Sequence, residues 1–428
     1  MKKTATALAM VFLYIVGNSQ SYTSFFTGNS TDLVTQPIGG VCLMGGAGES
    51  DEAMIWFLER AAGGDVVVLR ATGSDGYNDY MYSDLGVNVN SVETIRFNSI
   101  AASSEQYIID KINQAEALWF AGGDQWDYIT YWRNNAIGEA INNAVNIRNA
   151  VIGGLSAGMA IQGDYYFSAQ NGTITSEEAI ANPYAIDATV DGTPFLENTS
   201  LINTITDTHF DSPDRRGRIS VFLGRMLEDF GIEPRAIACD EYTAVCIDEN
   251  GIARIFGEAN ELDYAYFVQR NCAIENNVPE SLSAGQTFEW NQGGEALTVY
   301  RVRGNEAGNR TFDLNTWTSG VGGEWLYWSV SAGQFVQTPI TQVPDCLVNI
   351  NEQIEESIVI YPNPASEFIQ VDTDVESLWL YNMQGQLIQT STVNRMNVRD
   401  LPAGIYTLLI RTKNGKEISK TMKKVTND

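Results

Sequence analysis

The sequence predicts an α/β protein with a parallel sheet, a β-rich extension and a C-terminal β-sandwich. Three observations predict it. From Pro37 to about Glu258, short unbroken apolar runs alternate with helix-spaced segments. Strands buried on both faces read this way, and the alternation implies parallel crossovers. From about Leu262 to Gln342, aromatic and β-branched residues take over, broken by turns such as Gln292–Gly294 and Gly320–Gly323. Beyond a polar, acidic run (Leu347–Ser357), short alternating segments are separated by Gln384-Gly385, Ala403-Gly404 and Asn414-Gly415, the pattern of a small sandwich.

The elements follow in order. Residues 1–20 open with Lys2 and Lys3, continue through apolar Ala7–Val16 and end on Asn18, Ser19 and Gln20. This is the layout of a secretory signal. Gly39–Gly46 (GGVCLMGG) predicts a buried strand and Glu52–Arg60 a helix. Val66–Leu69 and Thr94–Phe97 are strands, Gln106–Gln114 a helix and Ala117–Phe120 a strand. Ile137–Arg148 is a helix, Val151–Ile152 a strand, and Ala157–Gln162 a helix start. The expected organisation is a signal (1–20), an α/β domain (37–260), a β-rich extension of it (261–346), a linker (347–357) and a terminal domain (358–428). No later stretch is long and apolar enough to span a bilayer.

With 428 residues and 44% hydrophobic content, the chain can build a sizeable core. Its net charge of −27 becomes −29 once Lys2 and Lys3 leave. The basic residues gather at the end, with six Lys or Arg from Arg411 onward, so the remainder is more acidic still. Such a surface repels nucleic acid and suits neutral or cationic partners, or plain solubility in a salty exterior. Five cysteines are present. Cys42, Cys239 and Cys246 lie in apolar runs and read as buried thiols. Cys272 and Cys346 flank the extension and are candidates for a disulfide in an oxidising compartment. No spacing of Cys or His suggests a metal site.

Chemistry concentrates at VIGGLSAGMAIQG, Val151–Gly163. Gly154-Leu155-Ser156-Ala157-Gly158 fits G-x-S-x-G, in which a serine sits on a strained strand-to-helix turn. The N–H of Ala157 then points to where an oxyanion would form. A hydroxyl needs a base, and the chain holds one histidine, His209, 53 positions on. It follows a short β-type run (Leu201–Thr208) and stands beside Asp207 and an arginine cluster. A third group must orient the imidazole. Glu177, Glu178, Asp240 and Glu241 are candidates, and spacing does not choose among them. In Ala117–Ile129 (ALWFAGGDQWDYI), a strand ends in Gly122-Gly123, so Gly123 is a candidate second oxyanion donor.

The ordered motifs AGGDQ, GLSAGM, DTHF…RRGR and CDEYTAV resemble those of the cyanophycinase and aspartyl dipeptidase family of serine peptidases. The likeness spans about Pro37–Glu258. It implies a flavodoxin-like sheet related to class I glutamine amidotransferases, a nucleophile at Ser156 and a base at His209. It implies a substrate pocket lined by Gln125, Asp207, Arg216 and Arg218. The triad acid is expected at Glu178, then Glu177, on the cyanophycinase branch, and at Glu241 on the dipeptidase branch. Leu155 replaces the usual Thr, about three extra residues separate His209 from Arg216, and Val221 stands where cyanophycinases tend to carry Arg. No cofactor and no metal is expected. The implied substrate is cyanophycin, a polyaspartate carrying arginine on each side chain, or another Asp-linked peptide. An amidotransferase-like enzyme would want cysteine at position 156. The alternative is an inactive peptide-binding protein on the same fold.

The tail resembles the C-terminal sorting domain of type IX secretion. Tyr361–Ala365 (YPNPA), Leu380–Ile388, Leu401–Leu408 and the basic ending carry that likeness. It implies export across both membranes, a secreted or cell-surface location, and the secretion machinery as a partner. A homodimer is the other assembly allowed for.

Overall fold

The computed structural model describes residues 20–340 and 360–425, apart from 194, 259–261, 372–374, 383–385 and 414–416. The expected signal segment lies outside the described residues except for Gln20, as does the expected linker. The chain divides into two compact units, Met1–Cys346 and Leu347–Asp428.

The first unit is built on a ten-stranded sheet. Five neighbouring strands run parallel, in the spatial order Ser91–Phe97, Asp65–Arg70, Ala117–Phe120, Val151–Leu155 and Val41–Met44. VCLM and ALWF are buried along their whole length, which is why they read as unbroken apolar runs. The sheet is mixed rather than wholly parallel. Tyr22–Gly28 closes one side antiparallel to Ser91–Phe97. Thr243–Ile247 lies antiparallel to Val41–Met44 and leads on to Ile252–Gly257, Arg310–Asp313 and Gly320–Val321.

Helices form where capping and spacing agree. The Asn135 side chain accepts from the Ile137 and Gly138 N–H groups and opens Ala136–Asn146. Ile137, Ala140, Ile141 and Ala144 then fall on one buried stripe.

A six-stranded sheet stands against the first. Its order is Gln334–Ile340, Glu324–Ser331, Leu297–Arg303, Tyr264–Arg270, Arg235–Cys239 and Thr204–Asp207, and only the last two are parallel. The strands after residue 260 therefore complete both sheets instead of adding a layer. The core between the sheets joins Leu43, Val245 and Phe312 of one to Ile237, Phe267 and Val302 of the other. Phe267 and Phe312 stack at 4.2 Å.

The second unit has sheets of three and four strands. Ile360–Tyr361, Phe368–Val371 and Arg395–Asn397 form one. Leu387–Ser391, Val375–Asn382, Gly404–Thr412 and Glu417–Lys424 form the other. Ile369, Val371 and Met396 meet Leu378, Leu408 and Ile410 in a separate core.

Candidate active site

The strand Val151–Leu155 ends at Ser156, and the helix Ala157–Ala160 begins at the next residue. Ser156 has φ 54° and ψ −117°. A residue with a Cβ rarely adopts that conformation, so the turn is strained. Gly158 makes it feasible, because a Cβ there would run into the Phe120 carbonyl of the neighbouring strand. The Ser156 N–H donates to the Met44 carbonyl at 3.0 Å and ties the elbow to the adjacent strand.

His209 arrives from the other sheet, two residues beyond Thr204–Asp207. It too has a positive φ, 45°. Its N–H donates to the Gly45 carbonyl at 2.9 Å, which anchors it to the end of Val41–Met44. Gly46 lies against the imidazole so closely that any side chain there would occupy the ring's place. The result is a distance of 2.8 Å between Ser156 Oγ and His209 Nε2.

Glu241 completes the row, with Oε1 2.6 Å from His209 Nδ1. It stands where the chain crosses from Arg235–Cys239 in one sheet to Thr243–Ile247 in the other. The crossing is pinned by Tyr242 N–H donating to Gly46 O (3.1 Å) and Glu241 N–H donating to Asp211 Oδ1 (3.0 Å). An ionised carboxylate only accepts, so Nδ1 carries the proton. In the neutral ring Nε2 is then left as acceptor for the Ser156 hydroxyl.

The expected acid Glu178 is elsewhere. It is an exposed residue of the helix Ser176–Ala181, in a capping box with Thr175. Its carboxylate accepts from the Thr175 N–H (3.0 Å) and hydroxyl (2.8 Å), which hold it below the usual carboxylate range. A carboxylate spent on its own helix start is not the one on the imidazole. Glu177 lies in the first turn of that same helix. The geometry corrects both placements in favour of Glu241.

Two of the expected pocket residues are also displaced. Asp207 and Arg218 are 3% and 2% exposed. They pair with each other through bonds of 2.9 and 2.5 Å, and Arg218 also donates to the Ile174 carbonyl. A buried, mutually satisfied pair supports the strand before His209 rather than facing a substrate. Arg216 is more open, and it is held by Asp214 at 2.6 Å and Gln337 at 3.2 Å. Gln125 opens the helix Gln125–Trp132, two residues past Gly123. Gly122 lies beside the elbow, since a Cβ on it would be 3.8 Å from Ser156 Cβ. Ala157 is the first residue of its helix, and its N–H therefore lacks an intrahelical acceptor.

Residues 74–255 match the model of peptidase family S51, and residues 359–424 match the secretion system C-terminal sorting domain. The segment 74–255 thus carries a likeness to peptidase family S51. This is the family that the four motifs resemble, and the S51 segment holds Ser156, His209 and Glu241. The tail marks the chain for type IX export to the medium or the cell surface. Among solved structures, a peptidase from an acI-B1 Actinobacterium is 14% identical, with 52% of this chain and 88% of that chain covered and a TM-score of 0.38. A protein described as peptidase E from Listeria monocytogenes EGD-e is 15% identical, with 49% and 95% covered and a TM-score of 0.32. No curated protein matches the chain.

Two features of this site lay outside the sequence expectations. Gly46 lies just past the strand Val41–Met44, more than 150 positions away in sequence from the histidine it supports. Arg215 donates to the Thr208 carbonyl at 2.7 Å and so holds the backbone just before His209. It stands just before the helix Arg216–Phe230, in the arginine cluster that the sequence shows beside the histidine. Asp240, one of the candidate acids, is held elsewhere. It is 3% exposed, and Oδ2 accepts from the Tyr264 N–H at 2.9 Å while Oδ1 has no hydrogen-bond partner. Burial, aided by nearby Asp211 and Asp263, pushes its pKa up to about 7.

That shift has a consequence for stability. An unfolded Asp releases its proton near pH 3.9, about three units earlier than Asp240 does in the fold. The folded state thus keeps a proton that the unfolded state loses, and stability falls as pH rises from about 4 to about 7. Asp240→Asn removes this dependence. Its melting temperature is expected to gain on the parent between pH 5 and pH 8, and parallel melting curves across that range would refute the assignment.

Proposed function

We propose that this exported S51 peptidase is a serine hydrolase acting on Asp-linked peptide bonds through an acyl-enzyme on Ser156. The observation that carries this reading is the unbroken row Ser156–His209–Glu241, at 2.8 and 2.6 Å. Ser156 attacks the carbonyl carbon while His209 Nε2 takes its proton. Glu241 holds the tautomer and stabilises the imidazolium. His209 returns the proton to the leaving amine, and water then releases the acyl group. The N–H groups of Ala157 and Gly123 serve as oxyanion donors, a role that needs donors fixed before charge develops. Arg216, the most open of the three expected basic and acidic pocket residues, is the one left to meet a substrate carboxylate.

The position of Glu241 favours the aspartyl dipeptidase branch over the cyanophycinase branch, on which Glu178 was expected. The substrates proposed are accordingly short peptides with an Asp-linked scissile bond, and cyanophycin is the alternative that the test below includes. The inactive binding-protein reading has no such support, because a binding pocket gains nothing from a base aligned on a serine hydroxyl.

The test is product analysis by mass. Purified full chain is incubated with cyanophycin, with isoaspartyl dipeptides and with dipeptides bearing N-terminal Asp. Release of free Asp or of β-Asp-Arg is the expected result. Silence on every Asp-linked substrate would leave the binding-protein reading standing in its place.

A further inference from the structure

Cys42 and Cys246 face each other across the antiparallel pair Val41–Met44 and Thr243–Ile247, in direct register. Their sulfurs lie 3.5 Å apart, and both residues are fully buried on the same face of the sheet. Cys239 is buried in the core on the other face, with its thiol directed at the Leu43 carbonyl. The three are free thiols in this structure, whereas Cys272 is disulfide-bonded. Its expected partner, Cys346, lies outside the described residues.

We infer that Cys42 and Cys246 are an oxidation site, and that in the exported protein they join in a cross-strand disulfide beneath the row Ser156–His209–Glu241. The inference rests on the sorting tail, which sends the chain out of the reducing cytoplasm. Directly opposed residues of an antiparallel pair have the Cα separation a disulfide needs. The sulfurs need close by about 1.5 Å to reach bonding distance, a movement within reach of side-chain rotation.

The place of the pair gives it a role. Val41–Met44 leads into Gly45 and Gly46, which anchor and support His209. Thr243–Ile247 begins two residues after Glu241. A covalent link between these strands ties the support of the base to the segment that carries its carboxylate. The link closes a loop across 204 positions, and the loss of unfolded-state freedom grows with loop length.

The exchange balances as follows. One cysteine thiolate attacks a sulfur of a disulfide-bearing oxidant and expels one thiolate. The second cysteine sulfur then attacks the mixed disulfide and expels the other. Two thiol protons and two electrons pass from the cysteines to the oxidant, which leaves as two thiols. Burial pushes the Cys246 thiol up, and neither sulfur is reachable in the folded sheet. Exchange therefore takes place before the helix Asp51–Glu59, packed over this face, closes it.

The experiment uses the full chain refolded with oxidised glutathione and, in parallel, with reduced glutathione. Each sample is denatured in an alkylating agent and digested, and its peptides are weighed. After oxidative refolding, Cys42 and Cys246 are expected in one linked peptide pair and Cys239 alkylated. The oxidised chain should melt on the order of 5–10 °C above a Cys42→Ser/Cys246→Ala chain refolded the same way. Alkylation of Cys42, Cys239 and Cys246 alike would overturn the inference, as would a link between Cys239 and either of the others. A chain that refolds only under the reducing condition, with no linked pair, would overturn it too.

Discussion

Ser156→Ala is expected to lower turnover on a cleaved Asp-linked peptide by roughly 10⁴ to 10⁶. The size follows from what remains. The oxyanion donors and the binding contacts persist, and these alone leave a modest acceleration over water. The fold should persist as well. The hydroxyl's one side-chain partner is His209, and alanine keeps the Cβ and the N–H bond to Met44. An unchanged melting curve with a collapsed kcat is thus the expected pair of results. A fluorophosphonate probe should label the parent chain once and leave the variant blank. Hydrolysis within a few-fold of the parent would remove Ser156 from the reaction.

Glu241→Gln is expected to cost about 10⁴ in kcat, close to the loss seen when a triad carboxylate becomes an amide elsewhere. The reason is the tautomer. A carboxylate 2.6 Å from Nδ1 requires the proton to sit there. An amide can turn its NH₂ toward the ring instead, which places the proton on Nε2 and leaves nothing to accept from Ser156. Glu178→Gln should stay within a few-fold of the parent, because that side chain serves only the helix start at Thr175. The two variants form a discriminating pair, measured as kcat on the same substrate. Equal losses, or a larger loss at Glu178, would reverse the assignment.

The parts of this molecule legible in sequence were those governed by local pattern. Gln106–Gln114 is helical over the span its periodicity predicts. G-L-S-A-G produced a strand-to-helix turn, because its glycines leave room for the close approach of the Phe120 carbonyl. His209 was found by its solitude, since no other side chain in the chain offers an imidazole. What was not legible depends on contacts distant in sequence. Glu177, Glu178, Asp240 and Glu241 are all acids near a predicted strand or helix end, and only the crossing between two sheets puts one of them on Nδ1. Asp207 and Arg218 were expected in the pocket because the family resemblance implies it. Helix geometry instead turns Arg218 inward, where it neutralises Asp207. The antiparallel neighbours of the parallel strands were likewise invisible, because a buried strand carries the same apolar run in either direction.

The proposed nucleophile rides on one slab of the molecule, and its base hangs from the edge of the other. Their separation is thus a reading of how well the slabs are seated. A slip of about 1 Å along that seam would cost on the order of 100-fold in rate while leaving each slab's own hydrogen-bond ladder whole. Phe267 and Phe312, stacked in the core between the slabs, are in this sense part of the machine's alignment.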